Sequence, residues 1–187
     1  RRGFRETDFV RFHPGGSLGR KLTPVRELMR PIEQCRVLEQ TRTVRESCIT
    51  VRGPGRRSGA VMVVDSVGTL VGIFTDSDLA RLLEKESSSI AHPERVNHNT
   101  SSMSLPMSRV MTSNPHAIGA NAMMPAAIDV LAQNQISELP VVDPEGRPVG
   151  LVDITDVIAW FPNGIPNKGS ATEPRLLPFP PSESNTA

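Results

Sequence analysis

The sequence lacks long hydrophobic runs and a strong net charge, and each absence excludes a class of protein. No stretch of eighteen consecutive apolar residues occurs, so we expect no transmembrane helix. The net charge of +1 provides no overall field that would favour nucleic acid or a membrane surface. Tyrosine is absent and tryptophan occurs once, at Trp160. The remaining composition, with 37% hydrophobic and 22% charged residues, is ordinary for a globular protein.

Residues that commonly ligate metals are scarce and scattered. Cys35 and Cys48 are thirteen positions apart and form no CxxC motif. Such isolated cysteines indicate reduced residues in a core or at its boundary rather than a disulfide or a metal site. His92, His98 and His116 occur in polar stretches without metal-ligand spacing. We therefore predict that the protein has no metal site.

The two ends of the chain differ in composition from its middle. The chain begins with Arg rather than Met and shows no secretory signal pattern, so we expect a cytoplasmic fragment whose upstream part is missing. Residues 1–30 carry eight Lys or Arg against three Asp or Glu, which predicts a solvated surface or a contact with an upstream domain. Residues 162–187 hold six prolines in 26 positions and are predicted to be disordered.

The middle of the chain contains an internal repeat. The stretch Ala60–Leu79 returns 78 positions later as Glu138–Val157, and seven of the twenty aligned positions are identical. Chance alone would leave about one identity, so the similarity is a true repeat. The pattern of each copy predicts an apolar strand, a glycine-containing turn, a second strand and the start of a helix. Two copies are too few for a solenoid and favour a module that pairs with itself within one chain.

Each hairpin is preceded by a predicted helix. Thr43 and Glu46 have the spacing of a capping box, which predicts that a helix starts there. In that helix, Val44 and Cys48 are predicted to face inward. In the second copy, four apolar residues form a stripe at helical spacing: Met123, Ala127, Val130 and Leu131.

A further helix is predicted after the first hairpin, over residues 76–86, with three leucines on one face. The next segment, residues 87–105, is polar and aperiodic, and it is predicted to be a mobile linker. Together with a possible short strand at residues 36–38, these elements give a unit of the form βαββα that occurs twice. The first unit spans residues 25–86 and the second spans residues 106–161.

This repeated unit resembles the cystathionine-β-synthase (CBS) domain. The resemblance rests on the Val-Val-Asp strand ends and on the two motifs that lead into the last helix of each copy, Gly72–Asp78 and Gly150–Asp156. It covers about residues 25–161. It implies a mixed α/β (α+β) fold in which two βαββα repeats pack through their sheets into a pseudo-twofold CBS pair.

The segment before the repeats narrows the family. RFHPGGSLGRKL, which contains His13, runs directly into the first repeat and looks like the end of the sugar isomerase (SIS) domain of bacterial arabinose-5-phosphate isomerases. Those enzymes interconvert ribulose 5-phosphate and arabinose 5-phosphate for the synthesis of the lipopolysaccharide sugar Kdo. The resemblance implies that residues 1–24 are the tail of a SIS domain. It also implies that His13 acts near the substrate in the full-length enzyme, and that this chain alone is inactive.

The same resemblance implies an adenine-nucleotide site. In CBS pairs, the Thr and Asp of the motif hold the phosphate and the ribose of an adenosine nucleotide, which assigns these roles to Thr75 and Asp78. The second copy keeps Asp156 but has Asp153 in place of the threonine, and a carboxylate there would repel a phosphate. We therefore expect the first cleft to be the better nucleotide site and the second to be weak or empty.

Arg56 and Arg57 lie in a glycine-rich connection and could reach a nucleotide phosphate from it, although this loop lacks the spacing of a P-loop. Alternatively, these two arginines belong to a solvated loop that binds nothing. The motifs Gly72–Asp78 and Gly150–Asp156 could likewise serve only to cap the helices that follow them. No cofactor is expected to be required, and AMP, ADP or ATP would be a regulatory ligand.

Three functions remain open at this point. The first is a regulatory CBS pair that binds an adenine nucleotide or a pathway metabolite and biases a catalytic SIS domain within a homo-oligomer, namely a dimer of CBS pairs in a tetrameric parent enzyme. The second is a purely structural module that helps the enzyme to oligomerise and binds no ligand. The third is one piece of an active isomerase. Neither nucleic acid nor a membrane is an expected partner.

Overall fold

The computed structural model describes residues 23–49, 59–91 and 101–160. The predictions for His13, Arg56 and Arg57 lie outside the described residues, as does the predicted disorder of residues 162–187. Within the described ranges, no helix is long and apolar enough to cross a membrane.

Two four-stranded sheets and four α-helices make up the described part of the chain. The strands are β1 (Arg30–Pro31), β2 (Arg36–Glu39), β3 (Ala60–Val64), β4 (Leu70–Thr75), β5 (Thr112–Ser113), β6 (Ile118–Gly119), β7 (Glu138–Val142) and β8 (Pro148–Asp153). The α-helices are α1 (Val44–Ile49), α2 (Asp76–Ala91), α3 (Met124–Asn134) and α4 (Ile154–Trp160). Short 3-10 turns occupy Val25–Glu27, Ile32–Gln34, Ser102–Ser104 and Met107–Arg109. The predicted α/β fold with two repeated units is confirmed.

The repeats exchange their first strands. One sheet has the order β1-β8-β7-β6 and the other has the order β2-β3-β4-β5. The entry strand of each repeat therefore pairs with the second hairpin strand of the other repeat. Equivalent backbone hydrogen bonds repeat this symmetry, since Val25 N donates to Ala122 O at 2.8 Å and Met107 N donates to Arg42 O at 2.7 Å. Backbone hydrogen bonds therefore join the two repeats at equivalent positions.

The exchange also completes both hydrophobic cores. The core of the second repeat contains Val25 from the first, fully buried, with Leu28 and Met29 packed against it. The core of the first repeat contains Met107 from the second, also fully buried. Each repeat alone would therefore expose part of its core, because a buried aliphatic side chain contributes about 1.5–3 kcal/mol. We infer that the two repeats fold as one unit.

Turn chemistry explains several of the positions that the two copies share. Asp65 Oδ1 accepts from Val67 N at 3.0 Å and from Thr69 N at 2.8 Å. Gly68 completes this turn with φ of +87°, a conformation that glycine adopts without strain. The second hairpin repeats the arrangement at Asp143 and at Gly146, where φ is +80°. These identities therefore serve the hairpin rather than a ligand.

The inward face of helix α1 differs from the prediction. The capping box before α1 is confirmed, because Thr43 N donates to Glu46 Oε2 at 2.7 Å and Glu46 N donates to Thr43 Oγ1 at 3.3 Å. The prediction for Cys48 is wrong, since Cys48 is exposed and Ser47 is buried instead. Ser47 is tolerated inside because its hydroxyl donates to Val44 O at 2.7 Å.

Two other helices also differ from the predictions, α3 in its apolar stripe and α2 in its length. Met123 is the N-cap of α3 and is 43% exposed, whereas Met124 is fully buried, so the apolar stripe is shifted by one residue at its start. Helix α2 continues to Ala91, five residues into the segment predicted to be a linker. The helix can continue through Ser87–Ala91 because this stretch contains neither proline nor glycine.

Candidate functional site

The first cleft motif lies where β4 ends and α2 begins. Asp78 Oδ2 accepts hydrogen bonds from Thr75 N and from Thr75 Oγ1, each at 2.8 Å. Asp78 N in turn donates to Thr75 Oγ1 at 3.3 Å. The two predicted ligand-binding residues are thus brought together, and they form a complete capping box on a helix of 16 residues.

The outer oxygen of Asp78 is held by a surface residue. Asp78 Oδ1 pairs with Arg81 Nη2, whose side chain is 67% exposed. An exposed ion pair of this kind contributes only about 0–1 kcal/mol, since water and salt screen it. A ligand hydroxyl group could therefore replace the guanidinium at little cost. The side chain of Asp78 itself is 13% exposed, so the carboxylate stands at the edge of the core.

The glycine that opens each motif is needed for close packing of the exchanged segment. A Cβ added at Gly72 would overlap Met111 Sδ, and one added at Gly150 would lie 2.7 Å from Met29 Sδ. Met111 and Met29 occupy equivalent places in the two entry segments. Each motif glycine is thus packed against a methionine from the other repeat.

The second motif is closed by an ion cluster that the sequence did not predict. Arg30 Nε donates to Asp156 Oδ2 at 2.6 Å, and Arg30 Nη2 lies 3.1 Å from Asp153 Oδ2. The exposed fractions of the three side chains are 6% for Arg30, 12% for Asp153 and 24% for Asp156. Asp153 Oδ1 also accepts from Thr155 N at 2.8 Å and from Thr155 Oγ1 at 2.5 Å. We name Arg30, Asp153 and Asp156 the Arg30 cluster.

The cluster keeps Arg30 charged in spite of its burial. Burial alone would lower the pKa of Arg30, but the hydrogen bond to Asp156 and the charges of Asp153 and Asp156 outweigh it, so the pKa of Arg30 is raised above its ordinary value. The three side chains together carry two negative charges and one positive charge. The second cleft therefore presents a net negative wall where the first presents a threonine.

The strand registers show why only one cleft has this cation. Arg30 on β1 is paired with Leu151 on β8, and Thr112 on β5 is paired with Ile73 on β4. Thr112 thus stands where Arg30 stands in the other half. The signal was present in the sequence, since the first repeat has an arginine, Arg30, where the second repeat has a threonine, Thr112, ahead of its hairpin. Its consequence is visible only in the structure, because the strand exchange places Arg30 beside Asp156.

A cleft of about 470 Å³ opens beside the Arg30 cluster. Its apolar wall comes from the entry segment and from α4, and consists of Leu28, Met29, Pro31 and Ala159. Gln34, Arg30 and Asp156 supply its polar groups. The volume is in the range of clefts that hold small ligands. Among the residues placed in the structure, no group of three or more His, Cys, Asp or Glu is arranged to bind a metal ion.

Glu138, at the start of β7, extends the negative region. Burial raises the pKa of Glu138 above its ordinary value of 4.5, and the charges of Asp153 and Asp76 raise it further. Arg36 and Arg30 oppose this shift without cancelling it. The carboxylate crowds the backbone at Gly59, where an added Cβ would lie 3.0 Å from Glu138 Oε1.

The raised pKa predicts a pH-dependent cost of ionising Glu138. The folded state binds the proton of Glu138 more tightly than the unfolded state does. This proton binding stabilises the fold below pH 4.5, and the stabilisation is lost as the pH rises through the raised folded pKa. Glu138→Gln should therefore melt at a higher temperature than wild type at pH 8, and the difference should shrink toward pH 4. Thermal unfolding across this range measures it. Glu145→Gln on the exposed turn is the control, and an equal gain in both variants would contradict the explanation.

Comparison with known proteins agrees with this architecture. The CBS domain family matches residues 25–85 and 107–163, one match for each repeat. The arabinose 5-phosphate isomerase KdsD of Francisella tularensis subsp. tularensis is 33% identical over 158 residues, which are 84% of this chain and 43% of the relative. The arabinose 5-phosphate isomerase KpsF of Escherichia coli is 33% identical over 159 residues, 83% of this chain and 42% of the relative. The chain thus spans less than half the length of these relatives.

A solved structure shows the same fold at lower identity. CBSX2 from Arabidopsis thaliana, in a crystal structure with AMP, superimposes with a TM-score of 0.54 and 21% identity. That comparison covers 73% of this chain and 93% of CBSX2. The match to the CBS domain covers more than half of the 187 residues. The protein therefore belongs to the CBS domain family and carries two copies of the domain, which form a pair related to the corresponding region of arabinose 5-phosphate isomerases.

Proposed function

We propose that this CBS pair is the regulatory module of an arabinose-5-phosphate isomerase and that its first cleft binds an adenine nucleotide. One difference between the clefts carries the proposal. Asp78 is held on its outer side by the exposed Arg81, whereas Asp156 is held by the buried Arg30. A ribose can displace the first guanidinium at small cost, but displacing the second would leave buried charge without a partner.

The chemistry of the first cleft suits both parts of a nucleotide. A carboxylate such as that of Asp78 can accept hydrogen bonds from two ribose hydroxyl groups. Thr75 stands at the start of α2, where free backbone N–H groups and the helix dipole favour a phosphate. Arg56 and Arg57 are proposed to approach the phosphate from the connection before β3. The AMP complex of CBSX2, which shares the fold, supports this choice of ligand class.

The proposed parent protein is a cytoplasmic isomerase that converts ribulose 5-phosphate to arabinose 5-phosphate. Two relatives named as such isomerases, each 33% identical to this chain over more than 150 residues, support it. In that enzyme, His13 would act near the substrate, and a SIS domain would be the partner of the CBS pair. Regulation requires that the nucleotide binds one state of the catalytic oligomer more tightly than another.

Calorimetric titration tests nucleotide binding at the first cleft. AMP, ADP and ATP are titrated into the wild-type chain and into Asp78→Ala. We expect the variant to lose affinity roughly 10- to 150-fold, since hydrogen bonds to a charged group contribute about 1.5–3 kcal/mol. Asp156→Ala is the matched control and should keep the wild-type affinity. Equal losses in the two variants would contradict the assignment of the ligand to Asp78.

A structural module without a ligand is the second candidate function. It is favoured by the capping box, because Thr75 and Asp78 already satisfy each other without any ligand. The same titration separates the two candidates, since absence of heat with all three nucleotides in the wild-type chain would favour the structural role. Arg56→Ala together with Arg57→Ala extends the test. Unchanged affinity would remove the two arginines from the proposed site.

A further inference from the structure

We infer that Arg81 is a specificity-determining residue of the first cleft, and that it favours ligands with a phosphate over ligands with a ribose alone. In the structure its guanidinium pairs with Asp78, and on binding it transfers from Asp78 to the phosphate of the ligand. The inference rests on the proposed nucleotide site and names the residue that selects among the ligands of that site.

The acceptor positions of Asp78 show that a ribose competes with Arg81. A carboxylate accepts about four hydrogen bonds, about two on each oxygen. Oδ2 is filled, because it accepts from Thr75 N and from Thr75 Oγ1. Oδ1 accepts from Arg81 Nη2, which leaves it about one further position. A ribose that donates two neighbouring hydroxyl groups to Asp78 therefore has to displace Arg81.

The displaced guanidinium remains beside the place proposed for the phosphate. Arg81 follows Asp78 by one turn of α2, and the side chains of a helix lean toward its N-terminus. The guanidinium binds the same carboxylate as Thr75, which stands at the start of α2. The side chain of Arg81 is 67% exposed, so little packing opposes its movement. A rotation of this side chain is enough to bring it from Asp78 to a phosphate at Thr75.

The two kinds of ligand leave Arg81 in different states. A nucleoside displaces the guanidinium from Asp78 and returns it to water without a new partner. A nucleotide supplies a phosphate, to which a guanidinium can donate two parallel hydrogen bonds. The transfer also keeps a cation beside the phosphate, which the charge of Asp78 would otherwise repel. Arg81 therefore selects for the phosphate.

The second repeat has an uncharged residue in place of Arg81. The residue 78 positions further along the chain is Ala159, which lines the second cleft. Asp156 is paired there with Arg30, which is 6% exposed and lies 3.1 Å from Asp153 as well. A buried cation with two charged partners cannot transfer to a ligand at small cost. The transfer is thus a property of the first cleft alone.

Calorimetric titration of the full 187-residue chain with AMP and with adenosine tests the inference. Arg81→Met should weaken AMP binding at least about fivefold, because the phosphate loses its charged partner. The same change should leave adenosine binding unchanged or strengthen it up to about fivefold, since it removes an exposed ion pair that competes for Asp78. Arg81→Lys should recover part of the AMP affinity, because it keeps the charge without the planar guanidinium. Where the heat of adenosine binding is too small, competition with AMP measures its affinity.

Arg147→Met is the matched control, since Arg147 is also an exposed arginine paired with carboxylates but lies at the turn of the second hairpin. It should leave both affinities unchanged. An AMP affinity that Arg81→Met leaves unchanged or raises would overturn the inference. Equal losses for AMP and adenosine would also overturn it, because they would indicate a merely structural role for Arg81.

Failure of the proposed function has a different signature from failure of the inference about Arg81. If the wild-type chain gives no heat with AMP, both fall together. If the wild-type chain binds AMP and loses affinity with Asp78→Ala but not with Arg81→Met, the nucleotide site stands and only the role of Arg81 is wrong. Thermal unfolding of each variant checks that it is folded.

Discussion

Replacing Arg30 by methionine is expected to lower the stability of the protein by about 3 kcal/mol, because removing one partner of a buried ion pair leaves the other charges uncompensated. Asp153 and Asp156, with side chains only 12% and 24% exposed, would then face each other without a cation. In a chain of this size the loss corresponds to a melting temperature roughly 6–12 °C lower. Thermal unfolding at neutral pH measures the effect.

An exposed cluster with the same charges, one arginine and two carboxylates, provides the matched control. Arg147 pairs with Asp143 at 2.9 Å and with Glu145 at 3.2 Å, and its side chain is 54% exposed. Arg147→Met should barely change the melting temperature, since water screens the charges that remain. Neutralising Asp153 and Asp156 with asparagine in the Arg30→Met chain should recover part of the loss. Equal effects of Arg30→Met and Arg147→Met would show that burial does not matter.

Replacing Gly150 by alanine is expected to destabilise the fold by about 3 kcal/mol, because adding a methyl group to a packed site forces its neighbours to move. The new Cβ would lie 2.5 Å from the backbone oxygen of Arg30 and 2.7 Å from Met29 Sδ. The backbone of β1 cannot retreat without breaking its pairing with β8. The exchanged strand would therefore be pushed away, and Arg30 with it. Thermal unfolding of Gly150→Ala measures the loss.

Two other glycines calibrate this prediction. At Gly72 the contacts are with the Met111 side chain and not with backbone, and a methionine side chain can change its rotamer, so Gly72→Ala should cost less, about 1 kcal/mol. At Gly119 an added Cβ meets no atom within 4 Å, so Gly119→Ala should change stability by less than about 0.5 kcal/mol. If Gly150→Ala has the same melting temperature as Gly119→Ala, the close approach of the exchanged strand is not a constraint on the fold.

Local chemistry could be predicted from the sequence because it depends on residues close together in the chain. The repeated hairpins follow from short, near-continuous apolar runs and from the Asp-x-x-Gly turns at Asp65 and Asp143. The capping boxes at Thr43 and Thr75 follow from a spacing of three residues. The expected weakness of the second motif as a nucleotide site rests on one carboxylate, Asp153, in place of a threonine.

The strand exchange could not be predicted in the same way. Nothing in the sequence around Arg30 indicates that β1 pairs with a strand about 120 residues further along the chain. Once that pairing is known, the role of Arg30 follows from charge alone. The inward face of α1 was mispredicted for another reason, because Ser47 can be buried by bonding its own helix and so leaves the more apolar Cys48 outside.

The unequal clefts can be tested in one NMR experiment on methionine methyl groups. The chain has seven methionines, and Met111 packs at the first cleft while Met29 lines the second. Methyl-labelled protein is titrated with AMP, and the two signals are assigned with Met111→Leu and Met29→Leu. AMP is expected to shift the Met111 signal and to leave that of Met29 in place. A shift of both signals at the same AMP concentration, or of Met29 alone, would contradict it.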